Sequence, residues 1–338
     1  MNDRQRADHT DVKINVKKPS DDWIANFEIK ATSALPALYA NGNQQVQLTV
    51  NVEPYDGRTV TPTQLNSISL YSKNTDGSYQ RLAINPVTEG DWAQQTERNP
   101  VYDYFEGVTT VAHATGREGL AKNDSERAVS SKVLYVTTLA SGGSTITLVA
   151  GIDYDASTTL YSDVVPYTST AVVTAHSSKL YDDPAEFSFI RTGEPANDRW
   201  TMTYRLRPAT ATVKLAAGTI TPNGMIRWAR NEPGNTFATI VGWVQVNTTA
   251  IRHEENITKH FDETTKDILQ KEVPNASASD LLIFMQADNR FPYHYDSAVG
   301  YKGPLQVQGS DKQGNPVQLG IAFEGTERTS LTLQMMMN

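Results

Sequence analysis

The densest concentration of groups able to hold a metal runs from His253 to Glu263, with Glu254, Glu255, His260 and Asp262 between them. Were this stretch helical, His253 and His260 would share a face seven residues apart, about 10 Å along the axis. A zinc ion with bonds near 2 Å does not span that gap. The stretch reads as a solvated acidic helix face, and no metal or cofactor is expected. Asp153 with Asp155, and Asp182 with Asp183, are oxygen donors of the kind calcium takes, but neither pair has the spacing of a complete loop motif. They read as turn acids. No serine stands in a Gly-x-Ser-x-Gly elbow and no glycine-rich loop for phosphate precedes a helix. Acid pairs such as Glu254 and Glu255 carry no catalytic information without their distance in space. With no cysteine in the chain, disulfides, thiol catalysis and thiolate metal sites are excluded. The expectation is a protein that is not an enzyme.

Binding chemistry is better represented. The run Arg290-Phe-Pro-Tyr-His-Tyr-Asp296, with Tyr301 nearby, gathers aromatic rings beside turn residues. Rings exposed on loops stack on sugars or anchor protein interfaces. Phe291, Tyr293, Tyr295 and Tyr301 are therefore the candidate binding residues, against the competing reading that the first three alternate into a core. Residues 132–150 read as a hairpin around Ser141-Gly-Gly-Ser144. A hairpin that enters a membrane needs one apolar and one polar face. Here Leu134, Val136 and Ala140 oppose Val133, Tyr135 and Leu139, which suits a strand buried on both sides better than one lining a pore.

Residues of these kinds must be positioned by strands. Val46, Leu48, Val50 and Val52 alternate with Gln47, Thr49 and Asn51, bracketed by Asn41-Gly42 before and Pro54 with Asp56-Gly57 after. That period of two marks a strand with one wet face. Similar runs follow at residues 65–71 and 78–84, then 132–140, 145–150, 200–207, 237–246, 281–286, 305–308 and 317–323. Spacing and turn punctuation predict a mainly β protein of antiparallel, immunoglobulin-like sandwiches, with one short helix near residues 258–272. The Gly- and Pro-bearing stretch at residues 191–198 divides the chain into a flexible N-terminal segment (1–20), an N-terminal sandwich region (21–190) and a C-terminal β-rich domain (191–338).

The 338 residues carry a formal charge of −8, and no run of Lys or Arg exceeds the pair Lys17-Lys18. That balance excludes nonspecific nucleic-acid binding, which needs clustered cations. No apolar run is long enough to span a bilayer, and the N-terminus lacks a signal-peptide core. The expectation is a soluble protein that reaches the cell surface or the exterior by a leaderless route or in a larger assembly, and otherwise stays cytoplasmic.

The stretch at residues 38–60, through Asn41-Gly42, Leu48-Thr49-Val50 and Asp56-Gly57-Arg-Thr-Val60, resembles the opening strands of bacterial immunoglobulin-like domains of the invasin and intimin adhesins. Asp311-Lys-Gln-Gly-Asn-Pro-Val317, followed by Ile321 and Phe323, echoes the same turn-and-strand device. The resemblance implies a spacer or adhesive role on bacterial surfaces. The expected function is accordingly a non-enzymatic interaction or structural protein that binds a protein or glycan partner through its sandwich surfaces, alone or as an oligomer. The alternative is a secreted β-rich toxin acting on host membranes.

Overall fold

The computed structural model describes residues 23–84, 90–106, 129–210, 214–230, 232, 234–275, 277–291 and 302–336. The N-terminal stretch read as flexible lies outside them. The chain is mainly β and forms two sandwiches. The first holds β1 (Ile24–Ala31), β2 (Ala37–Tyr39), β3 (Val46–Pro54), a helix α1 (Pro62–Ser67), β4 (Ser69–Lys73), β5 (Tyr79–Arg81), β6 (Ala83–Ile84), β7 (Trp92–Gln95), β8 (Ser130–Thr138), β9 (Thr145–Asp153), β10 (Thr159–Tyr161) and β11 (Ala171–His176). One sheet runs β1-β3-β8-β7-β6 and the other β2-β11-β9-β4-β5, with β10 beside β9. Pairing is antiparallel except at β2–β11 and β6–β7.

The second holds β12 (Phe187–Thr192), β13 (Arg199–Pro208), β14 (Leu215–Thr221), β15 (Met225–Trp228), β16 (Ala238–Val244) and β17 (Ile251–Arg252). Helices α2 (Glu255–Thr258) and α3 (Glu263–Ile268) follow, then β18 (Leu281–Asp288), β19 (Leu305–Asp311), β20 (Pro316–Phe323) and β21 (Leu331–Gln334). Its sheets run β12-β13-β18-β16-β15, with β17 on β16, and β14-β19-β20-β21. Both sandwiches thus contain the immunoglobulin order of four strands facing three. These are β1-β3-β8-β7 against β4-β9-β11, and β12-β13-β18-β16 against β14-β19-β20.

The alternating pattern explains each core. All five odd positions of β3, from Val46 to Pro54, are buried and the residues between them are not. Val50 pairs with Ile29, and Val46 with Val136, within one sheet. Across the gap they meet Leu70, Ala150, Ile152 and Val173 of the other. The second core joins Trp200, Tyr204 and Ile283 to Ile220, Val307 and Leu319. Burying such side chains removes apolar surface from water at about 25 cal/mol per Å², which is ample for a sandwich without staples.

Four sequence readings change. Residues 132–150 are not a hairpin, because β8 pairs with β3 and β7 while β9 pairs with β4, β10 and β11. The turn at 141–144 carries the chain from one sheet to the other. The stretch at 191–198 is no boundary either: it is the turn between β12 and β13, which pair from Phe187↔Pro208 to Thr192↔Thr203. The chain passes between sandwiches earlier, at residues 177–180, since β11 ends at His176 and Tyr181 already bridges Val317. The single helix at 258–272 is two short ones, separated by Phe261 and the cap Asp262, whose carboxylate accepts from the Thr265 N–H. Residues 65–67 belong to α1, not to a strand.

The two turn-and-strand devices read from the sequence meet at the junction. Asn41 Nδ2 donates to the Gln313 carbonyl (2.9 Å) and Asn43 Nδ2 to that of Gly314 (3.1 Å). Asp103 N–H donates to the Lys312 carbonyl at 2.7 Å. The 312–315 turn is built on Asp311, whose buried carboxylate accepts from the N–H groups of Gln313 and Asn315 at 2.8 Å. On the first sandwich's own side, Phe105 stacks on His176 at 4.5 Å and meets Tyr39 edge-on at 5.1 Å.

Candidate functional site

The outer face of the second sheet of the first sandwich carries the most organised side-chain cluster. On β4, Leu70 points into the core, so its neighbour Tyr71 points out. The Asp76-Gly77 turn, with Gly77 at φ +83 and Asp76 accepting from Ser78 N–H and Oγ, folds β5 back beside β4. That hairpin sets Tyr71 opposite Arg81 and Lys73 opposite Tyr79. From the other side, β10 returns along β9 and places Tyr161 opposite Gly151. A Cβ on Gly151 would lie 2.5 Å from Cε2 of Tyr71, so the glycine gives that ring its seat over β9.

Three rings converge there, all half-buried. Tyr79 and Tyr161 stack with centroids 3.7 Å apart and planes 11° from parallel. Tyr71 meets Tyr161 at 5.2 Å and 89°, so the planes form a corner. Asp163 pins the cluster: it accepts from Tyr79 Oη at 2.7 Å and from Lys73 Nζ at 2.8 Å. Burial is the first cause that raises the hydroxyl pKa of Tyr71, Tyr79 and Tyr161 above the ordinary value. All three therefore stay neutral donors at physiological pH. Asp153 accepts from Thr159 Oγ1 at 2.7 Å along the same edge. The hydrogen bond from Lys73 to Asp163 raises the ammonium pKa and keeps it charged. Such a surface offers apolar ring faces beside fixed donors and acceptors, the combination that binds sugars and anchors protein partners.

The residues singled out from the sequence sit elsewhere. Phe291 is fully buried and stacks on Phe261 at 5.7 Å, within a small core of Ile226, Ile240, Ile257 and Leu269. Its ring offers no face to a partner. Tyr293, Tyr295 and Tyr301 lie outside the described residues. His253 is half-buried and bonds the Gln270 carbonyl through Nε2, while His260 is exposed. No group of three or more His, Asp or Glu within reach of one metal occurs among the described residues. Asp155 accepts from Ser157 N–H and Oγ, and Asp183 caps the short helical turn Pro184–Glu186. Both are turn acids.

The tyrosine cluster was accessible to sequence reasoning only in part. Strand parity and the Asp76-Gly77 turn place Tyr71 and Tyr79 on one outer face, but nothing local announces that β10 brings Tyr161 to them from 82 residues beyond Tyr79. Tandem sandwiches of immunoglobulin order with an aromatic outer face are the class that fold and site define. No protein-family model matches the chain, and no curated protein matches it. Among solved structures, the adhesin InvE of Yersinia pseudotuberculosis aligns with 90% of this chain and 61% of its own, at 9% identity and a TM-score of 0.23. The chain thus spans less than two thirds of that adhesin, and a likeness at this level bears on neither fold nor role.

Proposed function

We propose that the chain is a non-enzymatic bacterial interaction protein whose first sandwich binds a protein or glycan partner through Tyr71, Tyr79 and Tyr161. The observation that supports this is the preassembly of the three rings, with Tyr79 held by Asp163 and stacked on Tyr161. Rings already fixed lose little freedom on binding, so more of the contact energy appears as affinity. A cell-surface or extracellular setting, or a place in an assembly, suits two sandwiches keyed together at a bonded junction. A pore-forming toxin draws no support from β8 and β9, which lie in opposite sheets.

The test is a panel of immobilised glycans and surface proteins probed with the full chain and with Tyr161→Ala. Loss of an anchoring aromatic typically costs about 2 kcal/mol or more, so the variant should bind at least tenfold more weakly while melting normally. Binding that survives loss of all three tyrosines, or turnover on a hydrolase panel, would overturn the reading.

A further inference from the structure

Beside the tyrosine corner, at the rim where β5 passes to the other sheet, a pocket of about 80 Å³ is lined by Ser69, Arg81, Gln94, Gln95, Thr96 and Lys132 among others. Two cations share it. Arg81 spends one donor on Ser69 Oγ. Lys132 rises from β8 and donates to the carbonyls of Asn66 (2.7 Å) and Ile68 (2.8 Å) at the end of α1. Among the described residues no carboxylate forms an ion pair with either one. Burial, and then the like charge of Arg81, hold the Lys132 ammonium below its ordinary pKa. A protein of net charge −8 therefore keeps two neighbouring cations facing one small pocket, whose other walls include Ile68, Ile84 and Leu134. An anion received there gains charge-assisted hydrogen bonds and relieves their mutual repulsion.

Two of its lining residues join the pocket to the ring face: Arg81 is the cross-strand partner of Tyr71, and Ser69 is the partner of Gly151, which itself opposes Tyr161. Neighbouring strands lie about 4.8 Å apart, so Arg81 on β5 stands about one sugar-ring width from Tyr71 on β4, while Lys132 reaches in from β8 of the facing sheet. The volume suits a single carboxylate or sulfate group. We propose that the partner of this face is an acidic glycan, with one sugar ring against Tyr71 and Tyr161 and its carboxylate or sulfate between Arg81 and Lys132. This rests on the binding role of the tyrosine face. A sugar is favoured over an acidic protein segment because the rings are ringed by polar groups, Asp153, Thr159, Ser69 and the tyrosine hydroxyls. A protein hot spot would instead occupy a desolvated apolar pocket.

Calorimetry on the full chain decides it, using a uronic-acid oligosaccharide, a sulfated oligosaccharide, a neutral oligosaccharide of equal length and poly-glutamate. At low salt at least one acidic sugar should bind about tenfold more tightly than the neutral one. Arg81→Gln should erase that advantage and keep the melting temperature. Should the variant fail to fold, the salt dependence of the wild type takes its place: rising NaCl should weaken acidic sugars and leave the neutral sugar unaffected. The two acidic sugars show whether carboxylate or sulfate is preferred. Equal affinity for acidic and neutral sugars, or an Arg81→Gln variant that retains the preference, overturns the anion pocket while leaving the tyrosine face standing. Poly-glutamate binding as tightly as the acidic sugars overturns the glycan assignment in favour of an acidic protein. Binding of none of the four overturns the glycan proposal, and a protein partner lost on Tyr161→Ala would then leave the face its role.

Discussion

His253 packs against β16, where a Cβ on Gly242 would come within 2.9 Å of its Nδ1. Nε2 donates to the Gln270 carbonyl at 3.1 Å, and Nδ1 has no partner. Burial lowers the pKa of this imidazole from 6.5, the bond to Gln270 opposing. The unfolded chain therefore takes up a proton near pH 6.5 that the folded chain resists. Stability from this residue is full above that pH and is lost as pH falls toward the depressed folded value. Urea unfolding between pH 7 and 5 should show a decline that His253→Gln flattens, since glutamine can still donate to Gln270 and cannot be charged. An unchanged slope would remove His253 as its source. By residue type alone His253 suggests a metal ligand; the strand pairing that buries it is invisible in its own neighbourhood.

At the scale of elements, α1 shows a signal present in the sequence and outweighed by a stronger pattern. Leu65, Ile68 and Leu70 with polar residues between them suggest a strand, yet Thr61-Pro62-Thr63-Gln64 is a capping box with proline at the first helical position. Thr61 Oγ1 accepts from Gln64 N–H at 3.3 Å, and Gln64 Oε1 accepts from Thr61 N–H at 3.0 Å. Gln64 also donates to the Tyr154 carbonyl at 3.0 Å, tying the helix to the β9–β10 turn. Thr61→Ala should cost about 1 kcal/mol, the usual worth of a cap. Gln64→Ala should cost more, because it removes the reciprocal bond and the long-range one together. Chemical denaturation of the two variants checks the order, and a milder effect of Gln64→Ala would refute it. Strands with strict alternation, such as β3, were legible because parity is local. The sheet to which β8 or β9 belongs is set by partners far along the chain, so a short Ser-Gly-Gly-Ser turn could pass for a hairpin.

At the scale of the molecule, the question is whether the two sandwiches behave as one body. Burial holds the Asp311 carboxyl above its ordinary pKa although Asn315 and Gln313 donate to it. The same burial, with the charge of Asp311 next, pushes Tyr181 up to about 12. A buried acid that organises a turn is costly to retain, and here the turn it organises is the one that reaches the other sandwich. Gly314 stands at its tip with φ +81, and a Cβ there would lie 2.7 Å from Cβ of Asn43 across the junction. Gly77 has nearly the same backbone, at φ +83, with nothing within 4 Å of an added Cβ. Gly77→Ala therefore carries only the left-handed penalty of about 1–2 kcal/mol. Gly314→Ala carries that penalty and a clash with the Asn43 and Asn41 side chains of the other sandwich. The contacts from Asn41 and Asn43 should loosen as a result. Small-angle scattering should find a broader distribution of interdomain distances for Gly314→Ala and an unchanged one for Gly77→Ala. Identical scattering from both variants would show that the sandwiches are held by the 177–180 connection, anchored by the Tyr181–Val317 bridge, with the 312–315 turn contributing little.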